Sequence, residues 1–423
     1  NEYARMTVET EQLKDKKVLE ARDIVVAWLK EENLLEKEEV TVQNVATADR
    51  TGGIIEPMPK LQWFINVNKE IPSRGKTLKD IMREPVADGR ITIIPDHFGK
   101  TYFHWIDNLR DWCISRQIWY GHRIPVWYRG DELFCDIDAP KDSGWVQDSD
   151  TLDTWFSSGL WTFSTLGWPN ETEDLRIYHP TDVLETGYEI LFFWVARMVL
   201  MTGYALNDIP FRTVYLHGTV RDAQGRKMSK SLGNGIDPLD VAKKFGADAG
   251  RMALVVGNTP GTDSRISEDK IRAYKYFANK LWNITRFVLM NRSESRVTND
   301  ELRKRPTPRT DADRDILAKL DRAIADITDN LDRYVIHEAA NQAYQFAWHE
   351  LADVYLETSK EQLSDKALKE NTGRILGWCL VNTLKLVHPF APFVTEELWS
   401  RLFGEDDASL LMVQRWPILG AHS

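Results

Sequence analysis

Near the start of the chain, Val18, Ala21, Val25, Trp28 and Leu29 recur at helical spacing between Lys14 and Leu35, and Val40 to Val45 then alternates as a half-buried strand does. Further on, Thr213 to Val220 reads as a short buried strand running into a turn at His217-Gly218. Leu184 to Met198 reads as a strand end, a glycine turn and a helix. Asp237-Pro238 is a helix start, an acceptor side chain followed by a proline at the first helical position, and the helix is expected to run through Val241, Phe245 and Ala249. Ser267-Glu268-Asp269 is another start, and residues 293–312, polar with two prolines, read as a linker. From Arg314 on, long amphipathic patterns dominate: Ile316 to Tyr334, Ile336 to Thr358, Thr372 to Val387 and Thr395 to Leu402. They predict a helix bundle, broken by Pro389 and Pro392 and restarted with Thr395 as cap.

The chain's 423 residues are too many for one compact domain and predict two or three. Its first fifty residues, with twelve acidic and eight basic side chains, offer too small a layer to be stable alone. A net charge of −10 argues against a general nucleic-acid binder, so any RNA contact must rest on a local basic surface. One stretch qualifies: Lys270, Arg272, Lys275, Lys280, Arg286 and Arg292 occur with no acidic residue between them, on a helix whose other face carries Ile271, Phe277 and Leu281. That is either an RNA backbone contact or a solvated helix face. Cys113, Cys135 and Cys379 lie far apart, which supports neither a disulfide framework nor a zinc site and suits a reducing cytoplasm. The most apolar run, Ile190 to Leu206, carries Arg197 and reads as too short and mixed for a membrane span.

The densest chemistry lies in Gly225-Arg226-Lys227-Met228-Ser229-Lys230-Ser231-Leu232-Gly233-Asn234. Two lysines with interleaved hydroxyls, set between a strand and a helix, form a cationic loop. Its ammonium groups and amides can stabilise the charge that develops as a phosphate leaves; the bland alternative is a solvated Lys/Ser loop. Gly187 and Glu189 fall at the carboxyl end of a strand, where α/β sheets bind ligands, and a carboxylate there can accept both hydroxyls of a ribose. Ile190 and Trp194, four apart on one helical face, could form an apolar box with Trp155, although Trp194 by itself reads as core. In the aromatic segment Asp111 to Pro125, either Ser115 and Arg116 hold a strand by its phosphates or the segment is structural, with Arg116 and Arg123 in salt bridges. Gly121-His122 is not a His-x-Gly-His, and none of the nine histidines forms one.

Lys227-Met-Ser-Lys-Ser231 is the signature loop of the class I aminoacyl-tRNA synthetases, and the chain resembles that family over residues 1–417. Asp153-Thr-Trp-Phe-Ser-Ser158 and Glu185-Thr-Gly-Tyr-Glu-Ile-Leu-Phe-Phe-Trp-Val-Ala-Arg-Met198 resemble its valine branch. The resemblance implies the α/β second half of a class I Rossmann-type catalytic domain followed by an all-α helix-bundle anticodon-binding domain. Residues 1–50 would be the remnant of an inserted editing domain, 51–265 the second catalytic half with its connective segment, and 266–423 a stem-contact helix and the anticodon-binding bundle. It implies ATP with Mg²⁺, no protein metal site, and valine and tRNA(Val) as partners, in a cytoplasmic monomer without a membrane role. Lys227 and Lys230 would be catalytic; Gly187, Glu189, His217, Gly218, Met228, Ser229 and Ser231 would hold ATP; Trp155, Ile190 and Trp194 would take valine. Arg116, Lys270, Arg272, Lys275, Lys280 and Arg286 would touch tRNA. The family more usually has Asp where Glu189 stands. Its other signature, His-x-Gly-His, belongs to the first catalytic half, so this chain alone is expected to be inactive in amino-acid activation. An apolar box rejects threonine in favour of valine by only about 100-fold, so the parent enzyme needs editing. Two alternatives stay open: a non-catalytic tRNA-binding module and a piece of an isoleucine enzyme.

Overall fold

The computed structural model describes residues 3, 5–42, 44–48, 51–55, 57–228, 233–295, 299–404 and 410–418. Its contacts group into two units, residues 1–64 with 113–115, and residues 65–112 with 116–423.

The first unit has one long helix, Val18–Glu31, which starts without a side-chain cap and buries only Ala21. The strand expected at 40–45 does not form among the described residues: Val40 and Val42 are fully exposed and lie outside helix and strand. A strand needs a neighbour to take its amide and carbonyl groups, and alternation alone supplies none. Ser115 belongs to this unit, where its hydroxyl accepts the Trp63 amide at 2.8 Å and donates to Gln62.

The second unit contains a parallel three-stranded sheet in the order Thr181–Gly187, Phe211–His217, Thr92–Ile94. Phe211, Val214 and Leu216 of the central strand are wholly buried, as expected for a strand covered on both faces. Helix Leu78–Ala87 opens with a reciprocal Thr77–Asp80 capping box. It packs on Ala196–Leu206, which also packs on Thr154–Ser164. Tyr188–Leu206 is, against expectation, long and apolar enough to cross a membrane by length and composition. Its apolar character has another cause, because Met198 to Gly203 is continuously buried and the buried Thr162 and Thr202 hydroxyls bond each other at 3.2 Å.

Two other expectations fail locally. The helix begun at Asp237, whose side chain accepts the Leu239 amide at 2.8 Å, does not continue to Ala249. It ends at Phe245 because Gly246 adopts a φ of +93°, and a second helix, Ala247–Val255, follows. The linker is partly helical: one helix runs Glu268–Ser295, another Asn299–Leu302, and Leu302 is buried.

The bundle comprises Asp311–Asp332, Ile336–Gln345 continuing through a π-helical stretch Phe346–Tyr355 into Leu356–Ser364, then Lys369–Val387 and Pro392–Phe403. Its core holds Phe277, Leu320, Tyr355, Leu380 and Trp399. Thr395 is not the cap of the last helix, which starts at Pro392. The cap comes from far away in sequence. The Asp248 carboxylate accepts the amides of Phe393 at 3.2 Å and Val394 at 2.6 Å, while Arg251 donates to the carbonyls of Pro389 and Phe390. Thr395 is buried inside the helix and donates back to the Ala391 carbonyl. Helix Ala247–Val255, next in sequence after the signature loop and its following helix, thus grips the bundle's proline turn.

Candidate active site

The two longer strands run parallel and end level, Gly187 opposite His217. Gly187 has an ordinary φ of −66°, and a Cβ there would lie 3.6 Å from His217 Cε1, a normal contact. A methyl group would therefore fit at this position without steric or backbone strain. His217 is exposed, with Nδ1 2.8 Å from the Gly218 carbonyl and Nε2 3.3 Å from Glu185. Gly218 is a close-approach glycine: a Cβ would fall 2.0 Å from the Thr262 carbonyl oxygen.

Beyond Gly187 the chain forms a 3₁₀ turn, Tyr188–Ile190, then a π-helical segment, Leu191–Val195, before the α-helix begins. Glu189 projects from the turn. Its carboxylate accepts the Thr219 hydroxyl at 3.2 Å and faces the Lys227 ammonium at 3.3 Å. The ribose candidate and the first phosphate candidate therefore meet at the mouth marked by Gly187 and His217. Met228 is half-buried against Phe245 and Ile266, over an apolar cavity of about 400 Å³ walled by Val220, Ile236 and Val241. Ser229, Lys230 and Ser231 lie outside the described residues.

Two carboxylates that the sequence reading passed over organise this mouth. Asp263 accepts the Thr219 amide at 2.8 Å, Arg221 Nε at 2.6 Å and the Tyr188 hydroxyl at 3.0 Å. These bonds, the Thr219 amide first, hold its pKa below the usual aspartate range, and the same contact raises that of Tyr188. Asp222 gathers the base of the signature loop, and its pKa is pulled down to about 2, chiefly by the Asn234 side-chain amide and by Arg226. No sequence pattern marks Asp263, whose partners lie in other segments, or the reach of Asp222 to Asn234, twelve residues on.

The apolar candidates each have aromatic or helical neighbours of their own. Trp155 stacks on Phe193, with ring centroids 6.1 Å apart. Trp194 packs on Trp161 at 6.0 Å and donates Nε1 to the Ser158 carbonyl. Ile190 is half-buried on the 3₁₀ turn. The expected common face of Ile190 and Trp194 assumed a continuous α-helix, and the change from 3₁₀ to π winding interrupts it. Behind Trp155 lies Asp153, 4% exposed. It accepts Trp112 Nε1 at 3.1 Å and pairs with Arg116 at 3.0 Å and Arg197 at 3.7 Å. The Arg197 guanidinium lies 4.3 Å from the Trp112 ring centre and 5.9 Å from that of Trp155. Arg116 is thus engaged in the ion-pair role that its sequence context left open.

Much of the basic helix is also engaged within the chain. Arg272 pairs with Asp269 and Lys280 with Asp353, Lys275 donates to the Lys244 carbonyl, and Lys270 is half-buried. Arg286 is exposed. Among the described residues no group of three or more His, Cys, Asp or Glu side chains is placed to hold a metal ion.

The family model described as tRNA synthetases class I (I, L, M and V) matches residues 3–141 and 131–267, and the one described as the anticodon-binding domain of tRNA ligase matches 313–421. The chain is 44% identical over 408 residues to a valine–tRNA ligase of Clostridium tetani, covering 94% of this chain and 45% of that one. It is 43% identical over 423 residues to that of Bacillus licheniformis, covering 99% and 47%. It therefore spans about half the length of these relatives. Among solved structures, Mycobacterium tuberculosis methionyl-tRNA synthetase bound by methionyl-adenylate aligns with a TM-score of 0.64 at 20% identity, over 84% of this chain and 66% of that one. A leucyl enzyme of Agrobacterium radiobacter, in a ternary complex with tRNA, aligns with a TM-score of 0.60 at 22% identity, over 74% and 43%. At these identities the structures speak for the fold, a class I catalytic domain followed by a helical anticodon-binding region. The chain belongs to the class I tRNA synthetases, in the group that takes in the isoleucine, leucine, methionine and valine enzymes.

Proposed function

We propose that this chain is the signature-loop half of a cytoplasmic, monomeric valine–tRNA ligase, which joins valine to ATP and passes the valyl group to the terminal ribose of tRNA(Val). The observation that carries the reading is the meeting of Glu189 and Lys227 beside Gly187 and His217. The similarity to valine–tRNA ligases supports the choice of amino acid.

In this reading Glu189 accepts the ribose hydroxyls, Gly187 leaves room for the nucleoside beside His217, and Gly218, packed against the Thr262 backbone, borders it. The valine carboxylate attacks the α-phosphorus and the bond to pyrophosphate breaks. Lys227 and Lys230, with the backbone amides of Met228, Ser229 and Ser231 in the same loop, balance the charge that the leaving pyrophosphate gains. The adenylate's acyl carbon is then attacked by a ribose hydroxyl of tRNA, and AMP leaves. No protein nucleophile is required; the work is placement and charge. Mg²⁺ would accompany the triphosphate. Trp155 with Phe193, Trp194 with Trp161, and Ile190 from the 3₁₀ turn would bound the valine side chain. Arg286 is the member of the basic helix best exposed for an RNA backbone, with Lys270, Arg272, Lys275 and Lys280 beside it. The units proposed from sequence, 1–50, 51–265 and 266–423, keep their editing, catalytic and tRNA-contact roles in this reading.

Valine-dependent ATP–pyrophosphate exchange tests the proposal. A full-length protein carrying this sequence is expected to exchange with valine and far less with isoleucine, and the 423-residue chain alone is expected not to exchange. Preference for isoleucine would overturn the choice of amino acid. Binding of tRNA by the full-length protein with no exchange for any amino acid would overturn the enzyme reading.

A further inference from the structure

The two ends of the signature run meet at one carboxylate. Asp222 stands before the run and Asn234 closes it. Asp222 Oδ1 accepts the amides of Gln224 at 3.0 Å and Arg226 at 2.8 Å. Its Oδ2 accepts Arg226 Nε at 2.8 Å and Asn234 Nδ2 at 2.9 Å. The same Asn234 amide reaches the Lys227 carbonyl at 3.3 Å. The backbone closes the hairpin as well: the Asp222 amide donates to the Arg226 carbonyl, the Gly225 amide to the Asp222 carbonyl, and Lys227 bridges back to Arg221. The Asp222 side chain is only 9% exposed, so every bond it accepts counts against its desolvation.

A carboxylate that accepts the amide two residues on is an ordinary turn device. The reach to Asn234, twelve residues away, is not. It ties the segment entering the loop to the segment leaving it, and Lys227 emerges between the tied ends with its ammonium turned to Glu189. A loop whose ends are fixed loses less freedom when it meets a ligand.

We infer that Asp222 and Asn234 are positioning residues: they form a clasp that sets Lys227 for the phosphates of the nucleotide. The inference rests on the nucleotide reading of this site. It carries a sign that separates it from a charge effect. Replacing Asp222 by Asn removes a negative charge close to the loop, and by charge alone that strengthens the binding of an anion. The clasp demands the opposite, because the loop that presents the cation is released.

The test uses a full-length protein carrying this sequence, the variants Asp222→Asn and Asn234→Ala, and the double variant Asp222→Asn/Asn234→Asp, which restores an amide–carboxylate pair with the roles exchanged. Three quantities are measured: affinity for inorganic triphosphate by calorimetry, hydrogen exchange of the Gln224 and Arg226 amides, and Tm. Each single variant is expected to weaken triphosphate about tenfold, the equivalent of one charge-assisted bond. Each is also expected to speed exchange at Gln224 and Arg226 while leaving Tm and the protection of Phe211–His217 in place. The double variant recovers part of both losses. Unchanged exchange in Asn234→Ala, or tighter triphosphate binding by Asp222→Asn, overturns the clasp. So does a fall in Tm with loss of protection across the central strand, which marks a purely structural role. If the unaltered full-length protein binds no triphosphate, the nucleotide reading fails, and the exchange measurements still decide the clasp.

Discussion

The Lys227 ammonium lies 3.3 Å from the Glu189 carboxylate, 38 residues away in the chain. Both side chains are largely exposed, so the pair contributes little to stability and weakens in salt. Its consequence is for binding. Any triphosphate that takes Lys227 must do so beside a fixed negative charge. Glu189→Gln is expected to leave Tm unchanged, to tighten inorganic triphosphate roughly threefold, and to weaken adenosine through loss of the ribose acceptor. Calorimetry with the two ligands separately checks this; equal changes in the same direction for both would dismiss the assignment of Glu189 to the ribose.

The glycines at 187 and 218 look alike in sequence but differ in what a methyl group would meet. At Gly218 it would strike the Thr262 backbone at 2.0 Å, and no side chain can move aside. Gly218→Ala is expected to cost about 3 kcal/mol, the upper range for overpacking, measured by urea unfolding. At Gly187, with φ −66° and the nearest atom 3.6 Å away, Ala is expected to be neutral or slightly stabilising. It should nonetheless weaken adenosine binding, because the added methyl occupies the open side of the strand end.

That contrast shows how far the sequence could be read. The strand into Gly218, the cap at Asp237 and the amphipathic bundle are local patterns, set by residues within one turn or one strand of each other, and they stand in the structure. What escaped depends on distant partners. The last bundle helix takes its cap from Asp248, 145 residues away from Phe393, so Thr395 looked like the best local candidate. The break at Gly246 needs a left-handed φ that a glycine permits but does not announce. The π-helical segments at 191–195 and 346–355 keep an apolar pattern close to that of an α-helix while shifting which residues share a face. Asp222 and Asp263 carry no motif of their own; only folding brings Asn234 to the one and Arg221, Tyr188 and Thr219 to the other.

Asp153 is the buried member of a cluster in which Arg197 and Arg116 share one carboxylate. Burial lowers the Arg197 pKa and Asp153 opposes that shift. Removing the acid leaves a half-buried guanidinium uncompensated, which costs about 3–5 kcal/mol for a buried pair. Asp153→Ala is expected to lie at the low end, because Arg116 is 39% exposed and recovers water. Arg116→Met should cost far less, about 1 kcal/mol or below. Chemical denaturation of the two variants checks the order; equal losses would mean that Arg116, not Arg197, is the partner that matters.

The clasp at Asp222 also predicts a pH dependence with a definite sign. Its carboxyl titrates at about 2 when the clasp is made, against 3.8 for an ordinary aspartate. The cause is chiefly the Asn234 amide, then the Arg226 backbone and side chain, and Arg226 keeps its charge throughout. The made clasp therefore binds fewer protons than the opened one wherever the pH lies between these values, so acid favours opening. Its contribution is fully present above the ordinary value and fades as pH falls through 3.8 toward 2. Protection of the Arg226 amide, corrected for intrinsic exchange, is expected to be level from neutral pH to about pH 5 and to drop below it. In Asp222→Asn, which has no proton to gain at this position, protection should be lower at neutral pH and show no such drop. The two profiles should converge as the acid limit is approached. A parallel decline in both proteins would assign the loss to general acid unfolding rather than to this carboxylate.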